Sequence, residues 1–413
     1  MKILFIHQNF PGQYKHLARH LGAMPGNQVV FITQREDGGL PGVHKIVYKP
    51  GRQVAHGLHP YLHETEAGVI NGQQVANVAL QLRAKGFVPD VVLGHNGWGE
   101  PWYIKEVWPD VPLIGYFEFF FSLHGTDVGF EPGAVVGFDA GPRLRTRNVG
   151  NLLGLEAVDV GQCPTQWQKS LYPAHYQSKL HQVHEGIDTD TVRPDPFVRV
   201  ALDDAGVELT PADEVVTYVS RHLEPLRGFP SFMRSLPKIL AERPRAHVIV
   251  VGGDGVSYGP RAPDGKTFRT MMLAELGDTI DVSRVHFLGQ VPYSSFVWIL
   301  QVSSVHVYLT YPFVLSWSML EAMSAGCLVV ASATPPVQEV IRDGENGLLV
   351  DIFSPPQIAD RVIEALADRP RFAPLREAAR RTIVDNYDLR RVCLPAQLQL
   401  IETALPGRAG ARR

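Results

Sequence analysis

The stretch VHVYLTYPFVLSWSMLEAMSAGCLVVA, Val305 to Ala331, carries the fold in miniature. Val305–Leu309 is a short β-branched and aliphatic run, Leu328–Ala331 is another, and Ser318–Ala325 between them has helical composition with Gly326 as its stop. Strand, helix and strand in so short a span mark two parallel strands joined by a crossover. Ser318 followed three residues later by Glu321 reads as a capping box that sets the helix start. Unpaired N–H groups and a partial positive charge at such a start favour a phosphate near Ser316, Trp317 and Ser318. Taken alone, Glu321 reads rather as a residue that only closes its own cap.

Outward from there the alternation fills the chain. Ile3–Ile6, Val29–Thr33, Val91–Leu93, Leu113–Tyr116 and Val158–Gln162 read as strands in the first half, and Val215–Val219, Val248–Val251, Val285–Leu288 and Leu348–Val350 in the second. Helical stretches such as Phe229–Glu242 and Pro356–Ala367 fall between them. The pattern predicts an α/β protein of two doubly wound parallel sheets. The 413 residues exceed what one hydrophobic core organises, so two domains of roughly 200 residues facing a central cleft are expected. Thr189–Phe197, with two prolines and no periodicity, is the expected linker and divides the chain into 1–193 and 194–387. Asp388–Thr403 reads as a helix within about 388–405 that is able to pack back on the first domain, and 406–413 as a frayed basic tail.

Glu118 to Asn148 breaks this rhythm with a glycine-rich run, Phe119–Phe130, followed by Pro142–Asn148. It leaves the end of the Leu113–Tyr116 strand, and open α/β sheets bind ligands beyond such ends, so a wall or lid on the acceptor side is expected. Arg143, Arg145 and Arg147 suit an anionic acceptor, although evenly spaced arginines are more usually a solvated surface. Arg143, Arg147 and Asn148, with His95 and Asn96 beyond the Val91–Leu93 strand, are the acceptor-side candidates.

Composition excludes several classes. The net charge of −3 argues against a nucleic-acid-binding protein, which concentrates basic surface against phosphates. Cys163, Cys327 and Cys393 are odd in number and far apart, which suggests neither a disulfide framework nor a zinc site and fits a reducing cytoplasm. No window approaches the ~18 to 20 apolar residues of a membrane span, and Ile3–Ile6 is too short for a signal peptide. Weak peripheral membrane contact and a homodimer are both compatible with the sequence.

Three further constellations bear on chemistry. Ser220 and Arg221 stand at the end of the Val215–Val219 strand, and Arg227 follows across a turn; permanently charged guanidinium groups there suit a diphosphate, or else are two surface arginines. Gly12, in the first turn His7–Tyr14, heads a helix where backbone approaches a phosphate or sugar, although GxGxxG is absent. Asp188-x-Asp190 matches a metal-holding DxD pattern but sits in the expected linker and reads as a turn. His56, His59, His63, His181 and His184 gain no acidic or cysteine partner that completes a zinc set, so no essential metal is expected.

With their flanking residues, the Glu321 helix start and the Arg221/Arg227 pair resemble the retaining glycosyltransferases of family 4, which have the GT-B fold of two Rossmann-like domains. Met1–Leu21 looks like the family's opening strand and helix, Glu185–Asp190 like its NGVD element, and Arg221 to Arg227-Gly228 like its GR…KG pair. Phe287–Gly289, Leu320–Ala331 and Glu339–Val350 are similar to its C-terminal signature in order and spacing. The resemblance implies a nucleotide-diphosphate sugar held by the C-terminal domain and an acceptor, carbohydrate or small molecule, held by the N-terminal one. Glu321 would then take the ribose hydroxyls and Arg221 and Arg227 the diphosphate, with Gly12, Ser220, Phe313, Leu315, Ser316, Trp317 and Ser318 around the donor. Two departures stand out. Phe313 occupies the place of a second glutamate that meets the donor sugar, and Glu118 that of a histidine near the reacting carbon, with His124 six residues on as the alternative. The resemblance also implies retention of configuration and needs no cofactor. A nucleotide-sugar epimerase or a non-catalytic sugar-binding protein remains the rival reading.

Overall fold

The computed structural model describes residues 1–202 and 206–405; the expected basic tail 406–413 lies outside the described residues. The chain forms two compact units. The first comprises residues 1–124, 135–186 and the chain from 389, and the second comprises 125–134 and 187–388. The chain leaves the first unit after Gly186, ahead of the expected boundary at 193, and returns after Asp388.

In the first unit a seven-stranded parallel sheet runs in the order β3-β2-β1-β4-β5-β6-β7. Its strands are β1 (Lys2–Ile6), β2 (Gln28–Thr33), β3 (Val43–Val47), β4 (Val91–His95), β5 (Leu113–Tyr116), β6 (Val160–Cys163) and β7 (Leu180–Gln182). Side chains alternate across a pleated strand, so a sheet covered on both faces needs apolar residues at every position. Accordingly Leu4 and Ile6 of β1 join a core with Val75, Trp108 and Phe117. Ile3 and Phe5 point the other way, into a core with Tyr14, Leu17, Leu400 and Ile401. Leu400 and Ile401 come from the helix Leu394–Ala404, which follows a π-helical turn, Leu389–Cys393, where the sequence reads as one continuous helix. Gln397 of that helix donates to the carbonyls of His184 and Glu185 at 3.3 and 3.2 Å.

The second unit holds a six-stranded parallel sheet in the order β12-β11-β10-β13-β14-β15 and a separate antiparallel pair, β8 (Val200–Leu202) with β9 (Val207–Leu209). The sheet strands are β10 (Val215–His222), β11 (His247–Gly253), β12 (Val285–Gly289), β13 (Val305–Tyr308), β14 (Leu328–Ser332) and β15 (Leu348–Val350). Helix Phe229–Glu242 buries Phe229, Phe232, Met233, Leu236 and Ile239 against the sheet region, a spacing that follows one helical face. Asp188 closes a turn, its carboxylate accepting from the Thr191 N–H at 3.2 Å.

Two departures from the sequence reading affect the site. Residues 118–139 form no helix or strand, but Ala140–Arg147, expected within the loop, is helical. The Val158–Gln162 strand begins at Val160, because the helix Val149–Ala157 runs up to Val158, whose N–H still bonds back to Gly154.

Candidate active site

In each sheet the strand order reverses once, between β1 and β4 and between β10 and β13, and ligands of such sheets bind beyond the carboxyl ends at that reversal. In the second unit β10 ends on Ser220, Arg221 and His222, and a short turn then places Arg227. Gly228 closes the turn at φ +67°, where an added Cβ would lie 2.4 Å from Leu309 Cβ, so only glycine lets the turn sit against the end of β13.

Arg227 is 8% exposed and donates through Nη1 to the Thr310 hydroxyl at 2.8 Å, the Val314 carbonyl at 3.1 Å and the Tyr308 hydroxyl at 3.3 Å. Its guanidinium lies 5.4 Å from the Tyr258 ring centre and 5.9 Å from that of Phe313, and those rings are 4.8 Å apart. All of these partners are neutral, and among the described residues no carboxylate forms an ion pair with it. Tyr258 is brought there by Glu224, whose fully buried carboxylate accepts from the N–H groups of Ser257, Tyr258 and Gly259 at 3.3, 3.1 and 3.2 Å. Arg221 is exposed, and Ser220 donates to the His222 carbonyl at 2.7 Å.

Helix Trp317–Ala325 starts at the same strand ends, but its N-cap is Ser316, not Ser318. Ser316 has the extended backbone an N-cap requires, its hydroxyl accepts from the Ser318 N–H at 3.4 Å, and its own N–H donates to the Tyr308 hydroxyl at 2.9 Å. Ser318 therefore lies inside the first turn, and the capping box expected from Ser318 and Glu321 does not set the helix start. The Glu321 carboxylate accepts from the Tyr293 hydroxyl at 2.7 Å. Burial followed by the Glu321 charge raises the Tyr293 phenol above its ordinary value, so it remains a donor. Leu315 is buried, Trp317 is 38% exposed, and Gly326 ends the helix at φ +84°.

In the first unit a polar relay occupies the reversal point. The Asn9 N–H donates to His7 Nδ1 at 2.9 Å, which leaves Nε2 to donate to Gln13 Oε1 at 2.5 Å. Gln13 Nε2 in turn donates to Glu118 Oε1 at 2.7 Å. His95 stacks between Trp98 and Tyr116 and accepts the Gly97 N–H at Nδ1, so its Nε2 carries the proton and faces Glu118 Oε2 at 3.9 Å. That Nε2 is buried without a hydrogen-bond partner among the described residues. Burial lowers His7 to about 4, and His95 well below the ordinary imidazole value, so both rings are neutral near pH 7. Gly12 sits at φ +53°, where an added Cβ would strike the His7 ring at 2.4 Å.

The remaining expected residues have other surroundings. Asn96 accepts from Trp102 Nε1 at 3.0 Å and donates to the Gly150 carbonyl at 3.2 Å. Asn148 bonds both backbone groups of Phe121. Arg147 pairs with Glu64 at 2.7 Å and lies over the Phe121 ring, while Arg143 and His124 are exposed. Sequence reading missed Thr310, Tyr258, Tyr293, Glu224, His7 and Gln13 as site residues. Glu224 stood between the two arginines and His7 and Gln13 in the quoted first turn, whereas Tyr293 and Tyr258 gave no local signal.

Known proteins resemble the chain in sequence and in fold. Residues 25–192 match the family described as "Glycosyl transferase family 4 group" and residues 213–368 match "Glycosyl transferases group 1". D-inositol 3-phosphate glycosyltransferase of Streptomyces scabiei is 28% identical over 284 residues, 67% of this chain and 58% of that protein. The GDP-mannose-dependent alpha-(1-6)-phosphatidylinositol monomannoside mannosyltransferase of Mycobacterium tuberculosis is 26% identical over 68% of each chain. The chain thus spans 58% of the length of the first of these relatives and 63% of that of the Corynebacterium aurimucosum D-inositol 3-phosphate glycosyltransferase. Among solved structures, sucrose-phosphate synthase of Thermosynechococcus elongatus superposes with a TM-score of 0.69 at 18% identity, over 97% of this chain and 98% of that one. The HepE protein of Anabaena in complex with UDP-glucose gives 0.66 at 16% identity, over 98% and 99%. No helix among the described residues is long and apolar enough to cross a membrane. Both halves of the chain carry the family's sequence pattern on two parallel α/β sheets, and the protein therefore belongs to the family 4 glycosyltransferases of the GT-B fold.

Proposed function

We propose that the protein moves a sugar from a nucleoside-diphosphate sugar to a hydroxyl or thiol of a carbohydrate, lipid-linked sugar or small metabolite, in the cytoplasm, with retained configuration and without a metal ion. The observation that carries this reading is Arg227, a buried guanidinium whose protein partners are all neutral. Desolvating a cation without an anion costs several kcal/mol, and a diphosphate seated against it recovers that energy. Arg221, at the end of the adjacent strand, and the positive end of helix Trp317–Ala325 add to the same field. Glu321, held by Tyr293, is the acceptor for ribose hydroxyls.

As the bond between the anomeric carbon and the diphosphate breaks, negative charge grows on the departing oxygen, where these cations stabilise it. The acceptor oxygen bonds the anomeric carbon on the same face, and its proton passes to the departing phosphate. Glu118 and neutral His95 are the polar contacts for the acceptor, with His124 a further candidate on the exposed loop. Relatives support the class of donor: HepE is solved with UDP-glucose, and the mycobacterial relative is named GDP-mannose-dependent.

Thermal melting against UDP, GDP, ADP, dTDP and their sugar conjugates, with and without EDTA, tests the proposal. One nucleoside diphosphate is expected to raise the melting temperature in EDTA, as ligands of the native state do, and to lose that effect in Glu321→Ala. No shift from any of them, or a shift that EDTA abolishes, overturns it.

A further inference from the structure

Residues 125–134 belong to the second unit although the chain before and after them belongs to the first. This strap grips Tyr311 and Phe353. The Phe130 ring lies 5.2 Å from Tyr311 and 5.5 Å from Phe353, which are themselves 5.6 Å apart, and Glu131 Oε1 accepts the Tyr311 hydroxyl at 2.5 Å. Gly125 and Gly133, with φ +76° and open space where a Cβ would stand, supply the bends at the two ends.

What the strap holds is the segment that seats Arg227. Tyr311, 7% exposed, donates its N–H to the Leu226 carbonyl at 2.9 Å, immediately before Arg227. Its neighbour Thr310 accepts from Arg227 Nη1, donates its own hydroxyl to the Tyr311 carbonyl at 2.9 Å, and shares the loop with Val314 and Phe313. Pinning the Tyr311 ring on one side and its backbone on the other fixes the loop that sets the guanidinium's position.

We propose that Phe130 and Glu131 are positioning residues of the donor site, which seat the Thr310–Val314 loop so that Arg227 meets the diphosphate. The assignment rests on the donor reading above. It predicts that the strap governs affinity for diphosphate and leaves affinity for the matching nucleoside monophosphate alone. A charge-assisted hydrogen bond contributes about 1.5–3 kcal/mol, equivalent to roughly 10- to 150-fold, and the exposure of Glu131 places the expected effect at the lower end.

Titration calorimetry of UDP, GDP, ADP and dTDP and the corresponding monophosphates against wild type, Phe130→Ala, Glu131→Ala, Glu131→Gln and, as control, Phe138→Ala tests it. Phe138 is 92% exposed and outside the strap. Phe130→Ala and Glu131→Ala are expected to weaken the bound diphosphate about 10-fold, to leave the monophosphate within about 2-fold, and to keep the unliganded melting temperature; Glu131→Gln, which retains an acceptor without the charge, recovers part of the loss. Glu131 is exposed, so its variants keep the test open if Phe130→Ala does not fold. Equal loss for monophosphate and diphosphate, or no loss, overturns the strap's role while the donor site stands. A wild type that binds none of the four diphosphates overturns both.

Discussion

On the proposed reading, Arg227 is a side chain that costs the fold stability and serves the ligand. A charge buried without a counter-charge carries a desolvation cost that an apolar residue of similar length does not. Arg227→Met is therefore expected to hold or raise the melting temperature of the free protein and to abolish the rise produced by nucleoside diphosphate. Arg227→Lys keeps the charge but loses the fork, and its kcat/KM is expected to fall by about 100-fold. Two other buried groups set opposite pH dependences. His7, lowered from 6.5 to about 4 by burial, binds its proton more tightly in the unfolded chain. Its contribution is complete above pH 6.5 and is lost as pH falls from 6.5 to 4. Glu100, raised from 4.5 to about 7 by burial, binds its proton more tightly in the native state. That stabilisation is complete below pH 4.5 and is lost as pH rises through 7. Glu100→Gln keeps the neutral form, so chemical denaturation at pH 5 and pH 8 is expected to show little change at the first and a gain of a few kcal/mol at the second. Equal effects at both pH values would contradict this.

At the scale of the element, the turn between β10 and the helix Phe229–Glu242 works only with glycine. Gly228→Ala places a Cβ 2.4 Å from Leu309 Cβ at a positive φ, and is expected to cost about 2 kcal/mol or more of stability and to weaken diphosphate binding by displacing Arg227. Denaturant midpoints and calorimetry read the two effects separately. Ser316→Ala is expected to cost about 1 kcal/mol through loss of the cap, and Ser318→Ala much less. That contrast shows where sequence reading reached its limit. Strand existence was legible, because strands buried on both faces need unbroken apolar runs, as in Ile3–Ile6 and Leu328–Ala331. The strand β3 was not, since its residues are half-buried or exposed and Val43-His-Lys-Ile-Val47 shows no clean period. The true cap was hidden because Ser316 and Ser318 differ only in backbone conformation, and the better motif belonged to the wrong serine. Arg227 and Glu321 were visible as residues, but their partners Thr310 and Tyr293 were not, since those contacts join positions 83 and 28 residues apart.

Across the whole molecule, the helix Leu394–Ala404 belongs to the first unit's core, where Leu400 and Ile401 meet Ile3, Phe5 and Leu17. Leu400→Ala is expected to cost about 2–5 kcal/mol. Hydrogen exchange is expected to localise the loss, with amides of β1 and β2 exchanging faster and those of β10 to β15 unchanged; a uniform change would contradict the division into units. The same interleaving imposes a schedule on synthesis. Residues 187–388 emerge from the ribosome between the first unit's sheet and the helix that covers it, and at ~5–20 residues per second that interval lasts roughly 10 to 40 s. The second unit has all of its sheet before the first has its last helix, so the part of the protein made first is the part finished last. Nascent chains should draw on chaperones through an uncovered Ile3–Phe5 face, and a circular permutant that carries residues 389–405 ahead of Met1 should shorten that exposure.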